Sequence, residues 1–280
     1  MRIVMHEELL KMADEDPEVY LIVGDLGSFG KFSERFPSRF INVGIGEPNA
    51  ISIASGLASE GKKVYIYGVA GFMIQRGFEQ LKFNIAYWNK KVILVNAGSG
   101  LVYNRPGRGH YLPEDIALMR LLPNIEIKIP VDRKDFRNFI RESKNSKTPQ
   151  YIRLGYDNAE DMIEGVPCSG DELTIVTTGV SVNPSLRVAQ DLIDRGFSVG
   201  VYIVRHIHTL HLLHTDKVMV VEDHIKFGGI GNLVLESGIK IDKHLHLPNT
   251  VDYTANTQME VLRYYRLDEH SIHQEALKLL

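Results

Sequence analysis

The chain has 280 residues, 44% of them apolar and 24% charged, the balance of a soluble globular protein with room for two domains. Its net charge of −3 and isoelectric point near 6.4 supply no overall basic field, so neither nucleic acid nor an anionic membrane surface is expected as a partner. Arg2 and Glu7 already charge the N-terminus, and no apolar run approaches the roughly 18–20 residues of a membrane span, so a cytoplasmic protein without signal or anchor is expected. The single cysteine, Cys168, has no partner for an internal disulfide and sits in a connector-like Pro-Cys-Ser-Gly-Asp stretch.

Short β-branched runs alternate with longer helix-like segments, the pattern of a mostly parallel sheet flanked by helices, and they form two blocks. In the first, Val19–Val23, Val64–Tyr67, Val92–Val95, Ile125–Ile129 and Tyr151–Leu154 read as strands, with helices around 3–14, 48–60, 71–88, 113–121 and 132–144. Between Gly155 and Asp171 the chain is polar, carries Pro167, Gly165 and Gly170, and reads as a linker. In the second block Leu173–Thr177, Ser198–Val204 and Lys217–Val221 read as strands, with helices near 181–195, 228–238 and the C-terminus. The fold class expected is α/β in two domains, the second smaller than the first.

The most informative stretch is Asn42-Val-Gly-Ile-Gly-Glu-Pro-Asn49, a carboxylate held in a glycine-rich turn ahead of an alanine-rich helix. Two readings are open from these residues alone. The glycines could merely permit a tight turn with Glu47 favoured by the helix dipole, or Glu47 could serve acid–base work. Ala54-Ser-Gly-Leu-Ala58, Gly61, Phe72, Arg76 and Glu79-Gln80 follow, and then Arg105-Pro-Gly-Arg-Gly-His110. Glu114-Asp-Ile-Ala-Leu-Met-Arg-Leu-Leu-Pro-Asn124 closes the series. In order and spacing these motifs resemble the transketolase family of thiamine diphosphate enzymes, whose pyrimidine domain carries the same run of acid, aromatic and "ED-I-A-x-x-R-x-x-P-N". Thr174-Ile-Val-Thr-Thr-Gly179, Val199–Val204, Val220-Val-Glu-Asp-His224 and Gly228-Gly-Ile-Gly231 resemble that family's C-terminal domain.

The resemblance implies a pyrimidine-binding domain over 1–158, a linker over 159–170 and a transketolase C-terminal domain over 171–280. It implies that Glu47 promotes the imino tautomer of the cofactor's aminopyrimidine, a role that burial strengthens. Phe72 falls at the stacking position, with simple core packing as the alternative; Val69 replaces a second aromatic three residues earlier. Arg76, Gln80 and Asp25 match further cofactor-lining positions, although Arg76 and Gln80 could equally be helix-surface residues. His110 is the candidate for handling substrate hydroxyl or carbonyl groups. Arg153, at a strand end, is either a substrate ligand or a member of a structural ion pair.

The same loop departs from the family. Pro106 stands where transketolases place a donor-recognising Asp, and Gly98 where they place an upstream His. Arg105 and Arg108 are added, and their forked guanidinium groups suit a more anionic substrate, such as a sugar phosphate or nucleotide-linked sugar.

The Gly-Asp-Gly and Asn motif that binds diphosphate and Mg²⁺ in this family is missing. Gly24-Asp25-Leu26 with Asn49 is a decoy, because Leu26 replaces the glycine required for close backbone approach. No metal site is therefore assigned to this chain. The resemblance implies a split enzyme: thiamine diphosphate shared with a separately encoded N-terminal subunit that binds Mg²⁺, two copies of each forming a heterotetramer, and no activity without the partner. Gly228-Gly-Ile-Gly231 is too short for a dinucleotide fingerprint, and His206, His208, His211 and His214 have no compact zinc spacing. The activity implied is transfer of a two-carbon ketol unit between sugars or sugar phosphates. The alternatives are a deoxyxylulose phosphate synthase-like or 2-oxo acid decarboxylating subunit, and a non-catalytic interaction paralogue.

Overall fold

The computed structural model describes residues 1–25, 29–103, 105–107, 109–156, 159–207, 210, 215–250 and 257–280. The first unit runs α1 (Arg2–Glu15), β1 (Val19–Val23), α2 (Lys31–Arg35), β2 (Phe40–Asn42), α3 (Glu47–Ser59), β3 (Lys63–Val69), α4 (Ala70–Arg76) and α5 (Phe78–Gln80). It continues through β4 (Val92–Ala97), α6 (Asp115–Arg120), β5 (Glu126–Lys128), α7 (Arg133–Ser143) and β6 (Gln150–Arg153). The second unit runs β7 (Leu173–Thr177), α8 (Val182–Asp194), β8 (Val199–Ile203), β9 (Lys217–Ile225), α9 (Ile230–Glu236), β10 (Lys243–Leu247), α10 (Gln258–Tyr264) and α11 (Glu269–Leu279).

The first sheet is parallel in the order β2-β1-β3-β4-β6-β5. Successive residues of its strands enter opposite cores. Leu21, Val23, Tyr65, Ile93 and Val95 pack with α1 and α7, while Ile22, Ile66, Val92 and Leu94 pack with α3, α4 and α6. Burial on both faces explains why these strands are continuous apolar runs rather than alternating ones. The second sheet is also parallel, in the order β10-β9-β7-β8. Its 205–207 segment seals the open edge of β5: Ile129 N–H donates to the Arg205 carbonyl at 2.7 Å, and Ile207 N–H to the Ile127 carbonyl at 3.2 Å. Among the described residues no helix is long and apolar enough to cross a membrane.

Three local features differ from the sequence expectation. The helix expected over 71–88 is broken at Gly77 into α4 and α5 and continues as a π-helical turn, Leu81–Ala86. A Cβ on Gly77 would lie 2.1 Å from Ile51 Cδ1 and 2.8 Å from the Met73 carbonyl oxygen, so α4 can approach α3 only with a glycine there. The edge strands β2 and β10 are additional; β10 reads Lys-His-Leu-His-Leu, whose polar positions conceal it in the sequence.

Candidate active site

Open parallel sheets present their functional side chains beyond the carboxyl ends of the strands, where loops diverge and helices begin. Glu47 follows β2, Phe72 follows β3, His110 lies in the segment after β4, and Arg153 ends β6. Glu47 is the first residue of α3, with Pro48 behind it, and its turn is held by Gly44 N–H donating to Asn42 Oδ1 at 3.0 Å. It is buried, at 5% exposure.

The structure joins four of the expected residues. Arg76 Nη1 donates to both Glu47 carboxylate oxygens, at 3.3 and 3.2 Å, and so supplies the buried acid with a counter-charge. The same guanidinium lies over the Phe72 ring, 4.5 Å from its centroid, a contact available because the two residues are four apart on α4. The half-buried Phe72 ring in turn meets His110 edge to face, with centroids 5.3 Å apart. The result is a continuous row: acid, guanidinium, aromatic ring, imidazole. Gly24 borders it, with a hypothetical Cβ 3.7 Å from Glu47 Cγ, and Asp25 beside it is exposed. Gln80 is half-buried on α5, and Arg105 is exposed in the loop. Arg108 lies outside the described residues.

Gly98 cannot be exchanged for the family's histidine on this backbone. It has φ +79°, and a Cβ there would sit 2.2 Å from the His110 carbonyl oxygen. Leu112 N–H donates to the Gly98 carbonyl, so the close approach belongs to the pairing that anchors the loop.

Arg153 has the structural alternative. Its guanidinium is 4% exposed and is held by two carboxylates: Nε and Nη2 donate to Asp115 at 2.8 and 3.0 Å, and Nη1 donates to Asp223 Oδ1 at 2.8 Å. Although burial opposes its charge, the two acids hold the Arg153 guanidinium above its ordinary range. Each of its nitrogens is engaged, which leaves the substrate role expected for it without geometric support. Tyr151 adds to the cluster by donating to Asp115 Oδ2 at 2.7 Å, and its hydroxyl lies 2.7 Å from Ser99 Oγ. Burial, then Asp115, push that phenol well above its usual value, so it remains a donor. A cleft of about 780 Å³ between the units is lined by Arg153, Tyr156 and Asp223, and neither Glu47 nor His110 reaches it.

The second unit's motifs are structural. The amides that open α9 are already filled: Ile230 and Gly231 N–H donate to Glu222 at 2.7 and 3.1 Å, which accounts for the glycine-rich turn without a nucleotide. Glu222 also pairs with His244 Nε2 at 2.7 Å. His206 lies edge to face on Phe139, whereas His208, His211 and His214 lie outside the described residues.

Residues 1–160 match the family model of the transketolase pyrimidine-binding domain, and residues 165–272 that of the transketolase C-terminal domain. The chain is similar to an apulose-4-phosphate transketolase subunit of Phocaeicola vulgatus, at 27% identity over 98% of this chain and 95% of that protein. It is also similar to a 6-deoxy-6-sulfo-D-fructose transketolase subunit of Clostridium sp. strain MSTE9, at 28% identity over 81% of this chain and 77% of that one. A solved split-gene transketolase, described as an inactive β4 tetramer, shares the fold with a TM-score of 0.84 at 25% identity, covering 99% of this chain and 98% of its own. Both domain models in their order, and relatives matched along most of their length, establish that the chain belongs to the transketolase family and carries its pyrimidine-binding and C-terminal domains.

Proposed function

We propose that this chain is the pyrimidine-binding half of a two-component, thiamine-diphosphate-dependent transketolase that moves a two-carbon ketol unit between sugars or sugar phosphates. The observation that carries the reading is the buried Glu47 carboxylate joined through Arg76 to the half-buried Phe72 ring, with His110 against that ring. These groups suit an aminopyrimidine, which requires an acid at its ring nitrogen and a flat apolar face. When bound, thiamine diphosphate supplies a carbanion centre that accepts and releases the ketol unit. Glu47 would hold a proton at the pyrimidine nitrogen and Phe72 would support the ring, with Arg76, Gln80 and Asp25 lining the site. Arg76 covers both groups in the chain alone; its side chain is 48% exposed, so it can yield that place toward solvent.

His110 would meet substrate oxygens, and Arg105 with Arg108 would favour an anionic substrate. That the similar proteins are named for a sugar phosphate and a sulfo-sugar supports this choice. In this reading the diphosphate and Mg²⁺ ligands come from a separate N-terminal subunit, two copies of each chain forming the active assembly. The naming of the relatives as subunits, and of the solved β4 tetramer as inactive, supports the requirement for a partner.

The test is reconstitution with a co-purifying partner that carries the Gly-Asp-Gly and Asn motif. The complex should transfer a ketol unit from a ketose phosphate without releasing carbon dioxide from pyruvate, and Glu47→Gln should lower turnover by about 10²–10⁴-fold, the usual worth of acid–base assistance. Full activity of Glu47→Gln, or turnover by the pure chain alone with thiamine diphosphate and Mg²⁺, would overturn the proposal.

A further inference from the structure

Asp223 belongs to β9 of the second unit, yet among the described residues the hydrogen bonds of its carboxylate are made with the first. Oδ1 accepts from Arg153 Nη1 at 2.8 Å, and Oδ2 accepts from the Leu101 N–H at 3.3 Å. It is essentially inaccessible, at 1% exposure. A buried ion pair of this type seldom adds stability over well-packed apolar side chains, and its better-attested use is to fix one arrangement among several.

The arrangement fixed here is that of the segment after β4. Leu101 is clamped at both backbone groups: its N–H goes to Asp223, and its carbonyl accepts from Tyr156 Oη at 2.9 Å. Ser99 is held through Tyr151, itself bound to the Asp115 that grips Arg153. Gly100 N–H then donates to the Leu112 carbonyl at 3.0 Å, and Ser99 bridges Leu112 in parallel. His110 lies between these paired strands of chain, its N–H closing a turn on the Gly107 carbonyl at 2.9 Å.

The packing around the ion pair admits no alternative. A Cβ on Gly100 would lie 2.0 Å from Asp223 Oδ2 and 2.3 Å from Arg153 Nη2, and one on Gly179 would lie 2.6 Å from Asp223 Oδ1 and 2.8 Å from Arg153 Nη1. Backbone from both units therefore presses on the same two side chains.

We propose that Asp223 is a positioning residue through which the second unit sets residues 99–101 and the 110–112 stretch paired with them and, with these, the His110 ring against Phe72. Its catalytic consequence rests on the reading that His110 meets substrate; the positioning itself does not. The C-terminal domain thereby contributes to the site without touching it.

The test uses the full chain with Asp223→Asn, which keeps the shape and removes the charge, and Leu233→Ala, a core truncation in the same unit whose hydrophobic cluster holds no residue of the segment. Hydrogen exchange is read by mass spectrometry on peptides covering 98–112, and the His110 ring resonance by NMR, assigned with His110→Gln. Loss of a charge-assisted hydrogen bond network should speed exchange of the segment roughly 10–100-fold and shift the His110 resonance, with neither change in Leu233→Ala. Gly100→Ala, which keeps Asp223 but pushes the segment away from it, should reproduce both changes. Unaltered exchange in folded Asp223→Asn, or the same loosening in Leu233→Ala, would overturn the proposal. A loosened segment with unchanged turnover in the reconstituted complex would uphold the positioning and remove His110 from the substrate site.

Discussion

Replacing Arg153 by Met removes the guanidinium lodged between Asp115 and Asp223 while retaining most of the side-chain volume. Both acids are buried, at 0% and 1% exposure, so neither can turn to water. Breaking a buried pair by deleting one partner costs about 3–5 kcal/mol, because the remaining charge is left uncompensated. Here two like charges are left facing each other. For chains of this size each kcal/mol moves the melting temperature by about 2–4 °C, so a fall of roughly 6–20 °C is expected. The pH dependence provides the sharper check. In wild type, burial already pushes the Asp223 carboxyl above its ordinary value despite Arg153 beside it. Without the guanidinium, burial and the facing Asp115 raise the folded-state value of Asp223 further above its unfolded one, so the penalty is present at high pH and relieved as pH falls through the folded value. Melting curves of Arg153→Met and wild type between about pH 8 and about pH 5 should therefore converge toward the acid end. A deficit below about 1 kcal/mol, or one of constant size across that range, would refute the argument that the guanidinium balances two buried acids.

Two further outcomes are expected. Gly77→Ala should destabilise by about 1–3 kcal/mol, since Ile51 is fully buried and the Met73 carbonyl is fixed in the helix; this outweighs the intrinsic helical advantage of alanine, and a raised melting temperature would show that α4 has room against α3. Hydrogen bonds from Lys243 and then Lys278 hold the Glu275 carboxyl at about 2, so its stabilisation is complete above the ordinary carboxylate value of 4.5 and is lost as pH falls toward 2. Lys243→Met should thus be about 1 kcal/mol less stable than wild type in urea at neutral pH and nearly equal to it at the acid end; a difference unchanged by pH would assign the effect to packing alone.

Strands β1, β3 and β4 were legible because both their faces are buried, which demands the β-branched runs that reveal them. Edge strands β2 and β10 were not, since an edge tolerates polar residues and three to five of them leave little pattern. The residues of the candidate site were named one by one from motif order, and the stacking of Arg76 on Phe72 follows from their spacing. What local sequence could not convey is where a long side chain goes once it has a choice. Arg153 has a strand-end position suited to a ligand, yet Asp115 and Asp223, 38 and 70 residues away, claim it. A signal for this was present in β9, where Glu222, Asp223 and His224 interrupt an otherwise apolar run. Three ionisable residues in the middle of a buried strand must each find a polar partner, and the partners are the start of α9, Arg153 with the Leu101 amide, and the Ala117 amide. Two of those three destinations lie in the other unit, so the strand that completes the second core is also the one that ties it to the first.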